Sequence, residues 1–156
     1  MFNILILGHS GSGKTTAAKI VAKLMGSPPP KNCSDFIIED FAKENDLNPR
    51  EVLKNKEEHR QDLFKYGLKR QSIDPAYPVT EAFKHSKVVT GVRTKENLEA
   101  TKKAIKQLIV IWISSVVGKG STDQLGPEHA DKVIENNGTI DDLKIKLVAM
   151  MTGETV

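Results

Sequence analysis

The sequence contains very little cysteine and no long apolar run. Its single cysteine, Cys33, cannot form a disulfide within the chain, which is typical of proteins in a reducing compartment. No apolar run approaches the roughly 20 residues that span a bilayer. The opening residues, MFNILILGHS, also lack the basic segment and cleavage pattern of a signal peptide. We therefore predict a cytoplasmic protein with no membrane partner.

The chain also lacks a strong excess of one charge and any biased composition. It has 23 Lys and Arg against 20 Asp and Glu, a formal net charge of +3. This basic excess is smaller than a dedicated nucleic-acid-binding protein usually carries, and it is compatible with an anionic substrate. Glycine and proline, with 11 and 7 residues, are near average, which excludes collagen-like and broadly disordered chains. The length of 156 residues predicts one domain and leaves the oligomeric state open.

Apolar patterning predicts strands that alternate with helices. Ile4 to Leu7 is a continuous apolar run, typical of a strand that is buried on both faces of a sheet. The apolar spacing that follows predicts a helix from about residue 14, which Gly26 ends. Further strands are predicted at Val88 to Thr90, Ile109 to Ser114, and Val133 to Ile134. The expected fold is α/β: a three-layer sandwich with about five mostly parallel strands and helices on both faces.

Two capping signals predict helices in the first half of the chain. Ser34 is expected to cap a helix that carries Ile37, Ile38 and Phe41. Asn48 followed by Pro49 is expected to begin another helix, which runs to about Gln71.

Two more signals predict helices in the second half. Thr94 is expected to begin a helix with Leu98 and Ile105 on its inner face. Thr139 to Asp142 matches a capping box, before a helix whose predicted inner face carries Ile140, Leu143, Leu147 and Met151. Between these helices, residues 115–127 are polar and unpatterned, and they predict a loop.

One motif in the sequence predicts a specific chemical function, the binding of phosphate groups. Residues 8–15, GHSGSGKT, match the phosphate-binding pattern G-x-x-x-x-G-K-[ST], known as Walker A. Its glycines allow backbone N–H groups to converge on one anion, and the following helix adds the positive end of its dipole. Lys14 is expected to reach the β- and γ-phosphates of ATP, and the Thr15 hydroxyl to bind Mg²⁺. The predicted nucleotide-binding residues of this segment are Gly8, Ser10, Gly11, Ser12, Gly13, Lys14, Thr15 and Thr16.

Other signatures narrow the class of nucleotide-binding protein. Small GTPases need an N-K-x-D motif, whereas residues 55–58 read NKEE and lie inside a predicted helix. Motor ATPases and helicases usually have an apolar strand that ends in Asp, whereas the candidate strand at Val88 to Thr90 is followed by Gly91. A small kinase is the interpretation that these observations favour.

Several short segments resemble one group of kinases. Besides Walker A they are Ser34-Asp35-Phe36, a helix with Arg60 and Gly67, residues 88–93 (VVTGVR) followed by Glu96 and Glu99, and residues 130–139 (ADKVIENNGT). Together they resemble bacteriophage deoxynucleoside monophosphate kinases and, more loosely, nucleoside monophosphate kinases and dephospho-coenzyme A kinases. The sequence is also similar to phage enzymes that phosphorylate 5-hydroxymethyluracil within DNA.

The resemblance implies ATP-dependent phosphoryl transfer with Mg²⁺ to a nucleotide acceptor. It also implies a five-stranded parallel sheet and a lid over the phosphates. We accordingly expect a single P-loop kinase domain over residues 1–156, in which residues 48–87 form an acceptor-binding helical insertion and residues 115–127 form a lid-like loop. The predicted catalytic residues are Lys14, Asp35, Arg60 and Arg93.

Each acceptor-side residue also has a purely structural interpretation. Asp35 lies where the family has a carboxylate that orients the acceptor, but the helix dipole alone favours an acid there. Arg60 belongs to a basic stripe with Lys56, Leu63, Gly67 and Arg70, in which the glycine suggests close approach of a ligand; the alternative is a solvated face. Arg93 follows a predicted strand at the end where ligands collect, and it is also spaced to pair with Glu96.

The remaining features concern the base, the metal and the lid. Asn137, in a turn that resembles the adenine-side turn of the family, is predicted to bind the nucleotide, although a plain turn explains it equally well. Gly91 stands where the phage kinases usually have an acid, so Mg²⁺ is expected to rely on Thr15, Asp35 and water. Residues 115–127 offer only Lys119 where related lids usually contribute arginines.

Three functions are therefore open at this point. The first is a kinase of (deoxy)nucleoside monophosphates. The second is a kinase of 5-hydroxymethyluracil in DNA, for which Asp35 would act as a general base toward the hydroxyl. The third is a non-catalytic nucleotide-binding module, which the glycine at position 91 and the arginine-poor loop favour.

Overall fold

Strands and helices alternate along the chain, as the apolar pattern predicts. The computed structural model describes residues 2–116 and 125–153. The strands within these ranges are β1 (Asn3–Leu7), β2 (Lys31–Asn32), β3 (Val88–Thr90), β4 (Leu108–Ser114) and β5 (Lys132–Glu135). The α-helices are α1 (Lys14–Met25), α2 (Cys33–Glu44), α3 (Pro49–Lys54), α4 (Lys56–Ile73), α5 (Val79–His85), α6 (Lys95–Ala104) and α7 (Ile140–Thr152). A short 3₁₀ helix spans Pro127–His129.

The strands form one parallel sheet in the order β2-β3-β1-β4-β5. In the centre of the sheet, Ile4 of β1 is in register with Val88 of β3 on one side and with Ile109 of β4 on the other. Because all five strands run the same way, their carboxyl ends meet at one edge, where ligands bind in open α/β sheets. The predicted α/β fold is confirmed, and the segment after β1 lies in the middle of that edge.

The two faces of the sheet are covered by different helices. Along β1, Ile4 and Ile6 belong to one apolar cluster, which includes α1 and α7. Leu5 and Leu7 belong to a second cluster, which includes α5 and α6 on the opposite face. Trp112 of β4 is 3% exposed in this second cluster. The continuous apolar run of β1 is thus explained by burial on both faces.

A third apolar cluster lies away from the sheet, between α2, α3 and α4. It contains Phe41 from α2, Val52 from α3, and Leu63 and Tyr66 from α4. The single helix predicted from Pro49 to about Gln71 is wrong, because the chain forms two helices there. The break is at Asn55, whose N–H donates to the carbonyl of Glu51 and so ends α3 before α4 begins.

Caps at the helix starts agree with the prediction at three of four positions. Asn48, Thr94 and Thr139 each accept a backbone N–H with their side chain. Ser34 is not the cap of α2: the cap is Asn32, whose Oδ1 accepts the N–H of Ser34 at 3.0 Å and its hydroxyl at 2.9 Å. The Ser34 hydroxyl therefore donates to the cap instead of accepting a backbone N–H.

Only two of the four apolar residues predicted for the inner face of α7 are buried. Leu143 and Leu147 are buried against the sheet, but Ile140 is 66% exposed and Met151 36%. Ile140 is the first residue of the helix, and in the last turn Met150 packs against the core cluster in place of Met151. Within the described part of the chain, every helix is too short or too polar to cross a bilayer.

The turn between α4 and α5, which contains Tyr77, is held to α2 and α4 by a polar cluster. The Tyr77 hydroxyl donates to Asp40 Oδ2 at 2.5 Å, and the Arg70 guanidinium carbon lies 4.6 Å from the centre of the Tyr77 ring. Arg70 also pairs with Glu44 at 3.9 Å. Burial and the hydrogen bond to Asp40 raise the pKa of Tyr77 above its ordinary value of about 10.

This shift makes stability depend on alkaline pH. Above about pH 10 the unfolded chain releases the phenolic proton while folded Tyr77 keeps it, so the free energy of unfolding should fall as the pH rises. Burial raises the pKa of Tyr66 in the same direction, and it adds to the loss. In Tyr77→Phe the alkaline slope should become shallower, measured by urea denaturation from pH 8 to 11. Identical slopes in the two proteins would contradict the assignment.

Candidate phosphate-binding site

The Walker A segment forms a loop between β1 and α1 at the carboxyl edge of the sheet. Gly11 and Gly13 have φ of 81° and 97°, in the left-handed region that favours glycine. Gly13 is the N-cap residue of α1, and the first turn of that helix contains no acidic side chain. The first N–H groups of a helix have no partner within it and carry the positive end of the dipole. This end of α1 therefore suits an anion.

The floor of the loop is closely packed on β4. A Cβ atom placed on Gly8 would lie 2.6 Å from the Ile113 carbonyl oxygen and 2.6 Å from Ser12 Oγ. The His9 ring meets Trp112 edge-on, with 5.0 Å between the ring centres. Only glycine fits at position 8, so the backbone of the loop is held directly against the sheet.

Two buried polar atoms of the loop lack a hydrogen-bond partner within the described residues. They are Ser12 Oγ, in a side chain that is 2% exposed, and His9 Nδ1. Buried polar groups are nearly always hydrogen-bonded in proteins, and exceptions call for an explanation. Both atoms lie in a loop of phosphate-binding geometry, and we find that these residues fit an anionic ligand such as the phosphates of a nucleotide.

Three of the other predicted residues lie in the first turn of α1, and Ser10 lies in the loop before it. Lys14 and Thr16 are half-buried, whereas Ser10 and Thr15 are exposed. The Lys14 side chain begins close to Gly8, since its Cγ lies 3.2 Å from the Cβ position of that glycine.

The turn after β5 contacts this loop through a residue that sequence reasoning missed. The side-chain amide of Asn136 donates to the Ser12 carbonyl at 2.9 Å, and it would clash with a Cβ atom on Gly13. Asn137, the predicted nucleotide-binding residue of this turn, accepts the N–H of Val116 at 2.9 Å with its side-chain oxygen. The sequence of this turn predicts a nucleotide contact, but no pattern of neighbouring residues predicts that Asn136 reaches the phosphate loop.

Asp35 follows the carboxyl end of β2 and Arg93 follows that of β3, and the charges of both act on Cys33. The Cys33 thiol donates to the Thr90 carbonyl at 2.9 Å and is 2% exposed. Burial raises the pKa of Cys33 to about 12; the negative charge of Asp35 raises it further, and the positive charge of Arg93 opposes the rise. Two of the predicted catalytic residues, of opposite charge, therefore lie within electrostatic range of one buried group.

This environment predicts an unreactive thiol. At pH 8 a pKa of about 12 leaves about three orders of magnitude less thiolate than an ordinary cysteine has. Alkylation of Cys33 by iodoacetamide should be slower in the folded protein by at least this factor than in concentrated guanidinium chloride. Equal rates in the two conditions would show that the thiol is accessible and ionised.

Gly91 is enclosed by the cap of α2. Its φ is 102°, and a Cβ atom on it would clash with Asn32 Oδ1 and lie 3.2 Å from the Cys33 nitrogen. The acid that the phage kinases usually have at this position has no room here, because Asn32 fills the space.

The middle of the predicted basic stripe of α4 packs against another helix. Leu63 and Gly67 are buried against α2, and a Cβ atom on Gly67 would lie 3.4 Å from Ile37. The interpretation that Gly67 lets a ligand approach is therefore wrong, since an α2 side chain lies against it. Arg60 is 77% exposed and pairs with Glu57 of its own helix at 3.5 Å.

Most of the predicted lid-like loop lies outside the described residues. Positions 117–124, which include Lys119, belong to that part of the chain. Of the described positions, Ser115 and Val116 follow β4, Leu125 and Gly126 are buried, and Pro127 begins the 3₁₀ helix.

A scan against protein-family models and a search of curated proteins gave no match to this chain. Solved structures do match. A shikimate kinase from Acinetobacter baumannii, in complex with shikimate, has a TM-score of 0.56 and 18% identity, over 98% of this chain and 94% of that one. A shikimate kinase from Bacteroides thetaiotaomicron has a TM-score of 0.51 and 11% identity, over 97% and 98% of the two chains. The fold is that of the shikimate kinases.

The shikimate kinase fold extends over nearly the whole of both chains. It agrees with the predicted P-loop sandwich, and it gives the loop between β1 and α1 its place at the centre of the ligand-binding edge. At such low identity the match shows the architecture and carries no information on the substrate.

Proposed function

We propose that the chain is a P-loop kinase that transfers the γ-phosphoryl group of ATP, with Mg²⁺, to a (deoxy)nucleoside monophosphate. The phosphate loop carries the ATP part of this proposal, and the acceptor follows from the resemblance of the sequence. The loop combines three glycines of positive φ, the N-terminus of α1 and two buried polar atoms without a partner among the described residues. A Gly-rich turn that matched Walker A by chance would need none of these features.

The loop supplies the groups that a nucleotide triphosphate needs. Backbone N–H groups from residues 8–16 would surround the phosphates, and Lys14 would neutralise charge on the transferred group. Thr15 would hold Mg²⁺, which would supply positive charge to neutralise the phosphates. Asn137, which follows the loop-contacting Asn136, would bind on the base side of the nucleotide.

Asp35 and Arg93 supply the acceptor side. Both lie near Cys33, at the edge of β2 and β3, and β3 is the direct neighbour of the strand that carries the loop. Arg93 would bind the phosphate of the acceptor, for which a guanidinium is the preferred partner. Asp35 would orient the attacking oxygen directly or through a metal-bound water. Arg60, which is exposed on the first turns of α4, would have to break its ion pair with Glu57 before it could bind the acceptor.

The acceptor itself is best identified by a screen with γ-labelled ATP. The panel should contain all nucleoside and deoxynucleoside monophosphates, DNA with 5-hydroxymethyluracil, and shikimate, which one structural neighbour binds. We expect transfer to one or more monophosphates. Transfer to the modified DNA or to shikimate alone would replace the proposed acceptor, and ADP binding without any transfer would make the chain a non-catalytic module.

A variant at Arg93 separates the acceptor site from the ATP site. Arg93→Ala should raise the KM for the acceptor about tenfold or more, the loss expected when a charge-assisted hydrogen bond is removed. ADP affinity should stay unchanged, because Arg93 lies beside β3 and α2 and not in the loop. Steady-state kinetics and ADP titration measure the two quantities.

The matched control for this variant is Glu96→Gln. It removes the carboxylate that is spaced to pair with Arg93 and leaves the guanidinium in place, so the KM for the acceptor should stay near that of the wild type. An unchanged KM in Arg93→Ala would remove Arg93 from the acceptor site.

A further inference from the structure

The phosphate loop is held by a side chain from the far end of the chain. Asn136 follows β5, and its backbone N–H donates to the carbonyl of Ser114, the last residue of β4, at 2.6 Å. Its side-chain amide then crosses to the Ser12 carbonyl, 2.9 Å away. The side chain is half-buried between the two segments. This residue therefore connects the loop to the ends of two strands.

The contact fixes the direction of a particular peptide group. In a trans peptide the C=O and the N–H point in opposite directions. Because the Ser12 carbonyl points at Asn136, the N–H of Gly13 in the same peptide is directed away from Asn136. Gly13 is the N-cap residue of α1, so this N–H is one of those that a phosphate-binding nest turns toward its anion.

The fit between Asn136 and the loop also explains a glycine of the motif. A Cβ atom on Gly13 would clash with the Asn136 amide, and its φ of 97° already disfavours other residues. The Asn136 side chain thus fills the space that a side chain at position 13 would need, so the effect of a substitution at one position should depend on the residue at the other.

We infer that Asn136 is a positioning residue of the phosphate loop, which sets the orientation of the Gly13 N–H for nucleotide binding. This inference rests on the proposed function only in that the loop must bind a nucleotide. It needs no assumption about the acceptor. Asn136 does not touch the reacting atoms: it acts through the Ser12–Gly13 peptide.

The test is ADP binding by isothermal titration calorimetry, with the fluorescence of the sole tryptophan, Trp112, as a second readout because it contacts His9 in the loop. Loss of one amide–carbonyl hydrogen bond should raise the dissociation constant of ADP about three- to tenfold in Asn136→Ala. Asn136→Asp keeps the shape but cannot donate to Ser12, and its charge opposes phosphate, so it should bind more weakly still.

A matched control removes the same kind of bond elsewhere. Asn45 donates from its side-chain amide to the Phe41 carbonyl at 2.9 Å, at the end of α2. Asn45→Ala should lose similar thermal stability but keep the ADP affinity of the wild type. Equal ADP affinity in Asn136→Ala, Asn136→Asp and the wild type would overturn the inference and leave the proposed function intact. A wild type that binds no ADP would overturn both.

A double-mutant cycle distinguishes positioning from a general loss of stability. Gly13→Ala should weaken ADP binding, partly through its clash with Asn136. In the Asn136→Ala background this clash is removed, so the second substitution should weaken binding by a smaller factor. If the fold-change in the dissociation constant of the double variant equals the product of the two single fold-changes, the two residues act independently and the inference is wrong.

Discussion

Lys14→Ala is expected to lower the rate of phosphoryl transfer by at least about 10²–10³-fold, the loss seen when one preorganised charge-stabilising group is removed from an active site. The side chain begins beside Gly8, in the first turn of α1, and in the proposed mechanism its amine neutralises charge on the phosphates. Phosphoryl transfer depends on positioning and charge neutralisation, so the missing charge acts directly on the rate. The measurement is the initial rate with γ-labelled ATP and the acceptor found by the screen.

The control for this variant lies further along the same helix. Lys19 is exposed on α1, and Lys19→Ala removes the same charge from the chain without touching the loop. It should keep the wild-type rate. An unchanged rate in Lys14→Ala would show that the mechanism is wrong, whatever the acceptor.

Gly91→Asp, which introduces the acid that the phage kinases usually have, is expected to lower the free energy of unfolding by about 2–4 kcal/mol. Part of this loss comes from a φ of 102°, which a residue with a side chain rarely adopts. The larger part comes from the clash with Asn32, whose side chain caps α2 and is held there by Ser34. Urea denaturation at neutral pH gives the free energy directly.

Gly26→Asp separates the two contributions. Gly26 has a φ of 65° at the end of α1, and a Cβ atom there meets nothing within 4 Å. This substitution has the backbone strain without the clash, and it should lower the free energy of unfolding by about 1 kcal/mol. Equal free energies of unfolding in Gly91→Asp and Gly26→Asp would show that the Asn32 side chain does not block the space beside Gly91.

The sheet could be predicted well because its signals are local. The apolar run at Ile4 to Leu7, the helix that ends at Gly26 and the capping box at Thr139 each depend on a few adjacent residues. β2 has only two residues, Lys31 and Asn32, and no apolar pattern, because it is an edge strand that pairs only with β3. The helix α5 escapes prediction for a similar reason, since its seven residues are too few to show a period.

The candidate site was predictable only where a motif is contiguous. Walker A contains its glycines and Lys14 within eight positions, so local reasoning locates the loop. Asn136 reaches Ser12 from the far end of the chain, and no spacing rule connects them. The space beside Gly91 is likewise decided by Asn32, on a different strand. Tertiary contacts of this kind determine which motif residues are free to act.

The bond between Asn136 and Ser12 joins residues 124 positions apart. A ribosome makes the phosphate loop early, together with β1, but it makes the residue that orients the loop only after β5. Contacts between such distant segments form late in folding, because closing the intervening chain has a large entropic cost. Full nucleotide affinity should therefore arise only once β5 has formed, so ADP binding should stabilise the whole sheet and not only the segment around the loop.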